Sequence, residues 1–114
     1  MHIFYRTRDL TIGDKIQLIE FAKTLSERWW LDILKSGSYR RERIDMGFDE
    51  IINKFNNTCH FVVILRKDPA DNSTYGEIGF STITESPEYF LFIHLKTKEF
   101  FKVINKFNLR ENGY

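Results

Sequence analysis

Between His60 and Arg66 runs an unbroken apolar stretch, Phe61-Val62-Val63-Ile64-Leu65. Its residues are mostly β-branched or aromatic, and it is too short for a helix buried on every side. Such a run predicts a central strand covered on both faces. Two further strand patterns follow it, and helical patterns lie on either side of the three. This segment therefore restricts the chain to a mixed architecture with a sheet at its middle.

The strand Cys59 to Arg66 leads into Lys67-Asp68-Pro69-Ala70-Asp71-Asn72-Ser73, the most turn-rich stretch of the chain, where Pro69 cannot continue a ladder. Tyr75 to Thr84 predicts the next strand, with Gly76 and Gly79 expected to mark bulges. Glu85-Ser86-Pro87-Glu88 predicts a second turn, and Tyr89 to Leu95 the third strand of the meander. Phe100, Phe101, Ile104 and Phe107 then define a closing amphipathic helix.

Upstream, His2 to Tyr5 predicts a short first strand pairing at one side of the sheet. Thr11 and Asp14 have capping-box spacing, with Asp in place of the usual Glu or Gln. Ile12, Ile16, Ile19, Ala22 and Leu25 recur at helical spacing, joined by Leu18, Trp29 and Ile33, so a long helix is expected to run to Ser36-Gly37. Trp29, Trp30, Ile33 and Leu34 together are wider than a one-sided stripe, which places one tryptophan outside the main core. Tyr39-Arg40-Arg41-Glu42-Arg43 is a basic connector, either helix extension or loop. Phe48, Ile51, Ile52 and Phe55 predict a second, short helix opened by Asp49 and Glu50. The expected fold is α+β, a single domain over residues 1–114, with an antiparallel β-meander, helices packed on it and the order β-α-α-β-β-β-α.

A chain of 114 residues can bury a core without disulfides or metal, and its aromatic fraction of 16% favours a packed globule. The formal net charge of +1 does not single out nucleic acid or a membrane surface as partner. Cys59 is the only cysteine, so no internal disulfide is available. No apolar run reaches bilayer-spanning length and no leader pattern opens the chain, so a cytoplasmic location is expected. Ile, Lys, Asn and Phe are abundant and Pro is scarce, as in the products of AT-rich bacterial genes.

The chemistry-bearing residues are sparse. His2, His60, His94 and Cys59 lack the paired spacings of a metal site, and neighbouring Cys59 and His60 would point to opposite faces of a strand. His94, inside an apolar strand, reads as a buried histidine with one partner. No catalytic, cofactor or metal site is expected. Lys98, Lys102 and Lys106 form a stripe continued by Arg110, an ordinary solvated helix face. Trp30, Tyr39, Arg40, Arg41 and Arg43 combine the residue types most enriched at binding hot spots. Asp45, Asp49 and Glu50, with Asp68 and Asp71, offer an acidic alternative, and the residues leave open which face binds.

The strand and helix order, the opening Tyr5-Arg6-Thr7-Arg8-Asp9-Leu10-Thr11-Ile12-Gly13-Asp14 and the segment Tyr75-Gly76-Glu77-Ile78-Gly79-Phe80 resemble the first part of the GNAT acyltransferase fold. That resemblance implies an acyl-CoA pyrophosphate held by a glycine-containing loop after the fourth strand. Here the equivalent stretch, His94-Leu95-Lys96-Thr97-Lys98-Glu99-Phe100, contains no glycine, so no acetyl-CoA binding is expected. In size and composition, and without a catalytic constellation, the chain also resembles the small immunity proteins encoded beside bacterial toxins. That likeness implies a non-enzymatic inhibitor whose partner is a cognate toxin. The alternative is a degenerate GNAT-like acyl-CoA-binding or acyltransferase-like domain.

Overall fold

The computed structural model describes residues 2–35, 38–42, 59–82 and 88–112. In chain order these form β1 (His2–Tyr5), α1 (Ile12–Leu25), β2 (Arg28–Lys35), β3 (Ser38–Glu42), β4 (Cys59–Lys67), β5 (Thr74–Thr82), β6 (Glu88–Lys96) and α2 (Thr97–Lys106). The strands make one sheet in the order β1-β4-β5-β6-β2-β3, with every neighbouring pair antiparallel. The α+β class, the antiparallel sheet and the helices packed on it agree with the sequence reading.

The core follows from the period-2 alternation of the strands. Tyr5, Val63, Ile78, Ile93 and Trp29 are successive register partners, forming one buried row across five strands. Leu18, Ile19 and Ala22 of α1 and Phe100, Val103 and Ile104 of α2 belong to the same core cluster. On β4, Val63 and Ile64 point to opposite faces, and both are fully buried. The central apolar run is thus covered on its two sides.

α1 opens as expected. The Thr11 hydroxyl accepts from the Asp14 amide at 3.1 Å, and the Asp14 carboxylate accepts from the Thr11 amide at 3.1 Å. It ends far earlier than expected, at Leu25. Ser26 turns the chain to extended backbone, and its Oγ lies within bonding reach of the carbonyls of Arg28 and His94. The expected helix continuation is therefore β2. Trp29 and Ile33 are spaced for a helix, but this segment is also rich in aromatic and branched residues suited to a strand. Pairing with β6, from Arg28 opposite His94 to Leu34 opposite Glu88, decides for the strand. The excess apolar width of Trp29, Trp30, Ile33 and Leu34 reflects a strand that alternates between two faces.

The connector Tyr39 to Arg43 is likewise corrected. Ser38–Glu42 is strand β3, paired with β2 from Lys35 opposite Ser38 to Leu31 opposite Glu42. The order β-α-α-β-β-β-α thus gains two strands after α1. The short helix expected around Phe48 to Phe55, the helix end at Ser36-Gly37 and most of the turn at Glu85 to Glu88 lie outside the described residues. At the opposite edge, the Arg6 amide donates to the Arg110 carbonyl at 2.8 Å and the Asn112 amide to the Phe4 carbonyl at 2.7 Å. An antiparallel bridge joins Tyr5 and Glu111, so the outer side of β1 is taken by the chain's own later residues.

The bulges expected at Gly76 and Gly79 are absent from β5. Register runs without interruption from Cys59 opposite Thr82 to Lys67 opposite Thr74. The glycines serve close approach instead, most clearly Gly76. A Cβ there would lie 2.2–2.6 Å from the Cδ2, Cγ and Cβ atoms of Phe100, so the ring sits directly on the bare backbone. Because the clash includes Phe100 Cβ, rotation of the ring alone cannot relieve it. Gly76→Ala is expected to cost about 1–3 kcal/mol through overpacking, read as a lower urea midpoint with an unchanged m-value.

Candidate functional site

Among the described residues, β3 is the outermost strand on its side of the sheet, and β2 is its neighbour. Along β3, Tyr39 stands opposite Leu34, Arg40 opposite Ile33 and Arg41 opposite Asp32. Trp30 lies on β2, two residues before Asp32, so register puts Tyr39 and Arg41 in phase with Trp30 on the pleat. Four of the residues selected from sequence are therefore assembled on two adjacent strands at one edge. Arg43, Asp45, Asp49 and Glu50 lie outside the described residues.

The two tryptophans part company across β2. Trp29 is buried beneath α1, with Lys23 Nζ 4.4 Å from its ring centroid. Trp30 belongs to the other face, where its ring lies 5.8 Å from that of Phe92. It is partly buried and outside the main core, as the width of the apolar pattern implied. Next to Phe92 in register comes Gly79, and next to Gly79 comes Val62. Gly79 borders a hollow of about 130 Å³, lined also by Val62, Phe90 and Phe92 with His60 and Ser81.

A polar row crosses the same face one pleat away. Arg28, His94 and Glu77 are successive register partners, and Glu77 is paired with Arg66 at 3.5 Å. The His94 ring is stacked on Tyr75, with centroids 4.8 Å apart and planes 17° from parallel. Burial lowers the His94 pKa from 6.5, and Arg28 adds to this by opposing a second positive charge, while Glu77 pulls the other way. Sequence reading singled out His94 but missed Arg28, Arg66, Tyr75 and Glu77. The alternation of Tyr75, Glu77 and Ser81 against Ile78 and Phe80 carried the signal that these polar residues share a face.

The lysine stripe on α2 has local partners. Lys102 pairs with Glu99 at 3.1 Å, and Lys106 Nζ lies 4.8 Å from the Phe21 ring centroid. Among the described residues, no group of three or more His, Cys, Asp or Glu is placed to hold a metal ion. No helix of the described residues is long and apolar enough to cross a membrane. No family model, curated protein or solved structure matches the chain.

The His94 shift has a defined sign. Well above pH 6.5 the imidazole is neutral in folded and unfolded chains alike, and its full contribution to stability is present. As pH falls below that value the unfolded chain takes the proton first, so stability declines until the folded-state pKa is also passed. His94→Gln is expected to show a shallower loss of stability between about pH 7 and pH 5 than the parent, measured by urea midpoints at each pH. Parallel curves for the two proteins would show that His94 does not contribute.

Proposed function

We propose that this chain is a non-enzymatic protein-binding module, most concretely an immunity or inhibitor protein that neutralises a bacterial toxin in the cytoplasm by occluding it. The observation that supports this reading is the gathering of Trp30 on β2 with Tyr39, Arg40 and Arg41 on β3 at one edge of the sheet. Residue types that dominate binding hot spots are thereby concentrated on a single structural unit. Cationic side chains there would steer an acidic partner surface and set its orientation.

The acyl-CoA alternative is the weaker reading. Glu99 places a carboxylate in the first turn of α2, beside the amides that a pyrophosphate would need. An anion at that helix start would meet a like charge.

Affinity capture from the source bacterium, beginning with the product of the adjacent gene, tests the proposal. One stoichiometric partner whose activity is lost on binding is the expected result. Arg40→Glu combined with Arg41→Glu is then expected to weaken the complex by about tenfold or more, equivalent to roughly 1.4 kcal/mol for each tenfold step. No partner, together with a thermal shift on adding acetyl-CoA, would replace this reading with the acyl-CoA one.

A further inference from the structure

After α2 the chain turns back along the sheet. Asn108 takes the left-handed conformation, with φ 51°, and the Leu109 amide donates to the Ile104 carbonyl at 3.0 Å, which closes the helix and redirects the backbone. Arg110, Glu111 and Asn112 then run beside β1. All three are exposed, whereas Leu109 just before them packs against the core. Their contribution to the sheet is made by backbone. The Asn112 amide donates to the Phe4 carbonyl, the Arg6 amide donates to the Arg110 carbonyl, and Glu111 bridges to Tyr5 between these two bonds. Outward-facing polar groups of β1 are thereby satisfied by a segment that adds nothing to the core.

β1 has the makings of a strand that pairs readily once that segment leaves. His2-Ile3-Phe4-Tyr5 contains no Lys, Arg, Asp or Glu, and charged side chains are one of the devices that keep edge strands apart. Tyr5 belongs to the helix-covered face, so Phe4 belongs to the other, where it is 43% exposed. Two antiparallel strands in one continuous sheet set residues of the same face opposite each other. For two copies of β1 this permits Phe4 against Phe4, with Ile3 against Tyr5 on either side. The Phe4 carbonyl already points outward, to Asn112, as that pairing requires. Aromatic residues directly opposite each other make favourable cross-strand pairs.

We propose that residues 110–112 are a guard strap, which keeps the β1 edge from pairing with the β1 edge of a second copy. Release of the strap yields an antiparallel, edge-to-edge dimer centred on Phe4. The inference goes beyond the protein-binding reading and does not depend on it, since the occupant is the chain itself, on the side of the sheet away from β2 and β3.

The test compares molar masses by sedimentation equilibrium over a range of concentrations. Asn112→Pro in the whole chain removes the amide that bonds to Phe4. A second variant ends at Leu109 and so lacks the strap. Both are expected to approach about twice the parent's mass as concentration rises, with near-ultraviolet circular dichroism retained. Adding Phe4→Lys to either sets lysine against lysine and is expected to restore the parent's mass. Folded variants that keep the parent's mass at every concentration would overturn the proposal, as would association that Phe4→Lys leaves intact. A parent that itself associates, and is returned to single chains by Phe4→Lys, would show that the strap guards nothing. Unfolding of both variants would make the strap a requirement of the fold instead of a guard, and would equally sink the idea.

Discussion

The packing of Phe100 onto Gly76 fixes how the helical layer meets the sheet. α2 begins directly after β6, with Lys96 closing the strand and Thr97 opening the helix. There is no loop to absorb a misfit, so the first turn of the helix must fit the sheet where it emerges. The bare backbone at Gly76 provides that room, flanked in register by Leu65 on β4 and Leu95 on β6. Phe100 also meets Tyr5 edge-on, with ring centroids 5.5 Å apart, which carries the contact to β1. Thr97 donates to the Thr74 carbonyl at 2.8 Å and shares a 2.7 Å hydroxyl contact with Thr74, anchoring the helix start to β5. Further along, Phe107 and Phe21 lie 6.3 Å apart and join the far ends of the two helices. A few aromatic contacts thus set both the depth and the position of the helical layer.

With one face of the sheet committed to the helices, the other carries a different chemistry. Trp30 with Phe92, the hollow at Gly79, and the Arg28, His94 and Glu77 row lie side by side on it. Aromatic area and charge are interleaved there instead of being segregated into core and rim. The β2–β3 edge borders this face, so the residues read as a binding constellation lie beside its aromatic end.

Legibility in the sequence tracked how local each decision was. β4 was legible because an unbroken apolar run of strand length leaves few alternatives, and α2 because Phe100 and Ile104 repeat at helical spacing. The Thr11–Asp14 capping box was legible because its partners are three residues apart. β2 was not, because Trp29 and Ile33 satisfy a helical period and a strand period alike. What settles that choice is the ladder with β6, a segment distant in sequence. The binding constellation was legible by residue type alone. Its assembly on neighbouring strands follows from the β2–β3 pairing, which a continuous helix would have excluded. Gly76 and Gly79 were noticed for the right residue type and given the wrong role, since the sequence does not show which ring lies over which backbone.

The pairing of β2 with β6 also has a consequence in time. During synthesis, residues 28–35 emerge well before residues 88–96, and β1 likewise precedes its partner β4. Until β6 exists, the Trp-rich segment has only β3 to pair with, and its helical spacing offers extension of α1 as a competing local arrangement. Placing strands whose partners are so remote makes folding depend on late, long-range closure, the regime of slow folders. Before that closure Trp29 and Trp30 lack their register partners Ile93 and Phe92 on β6.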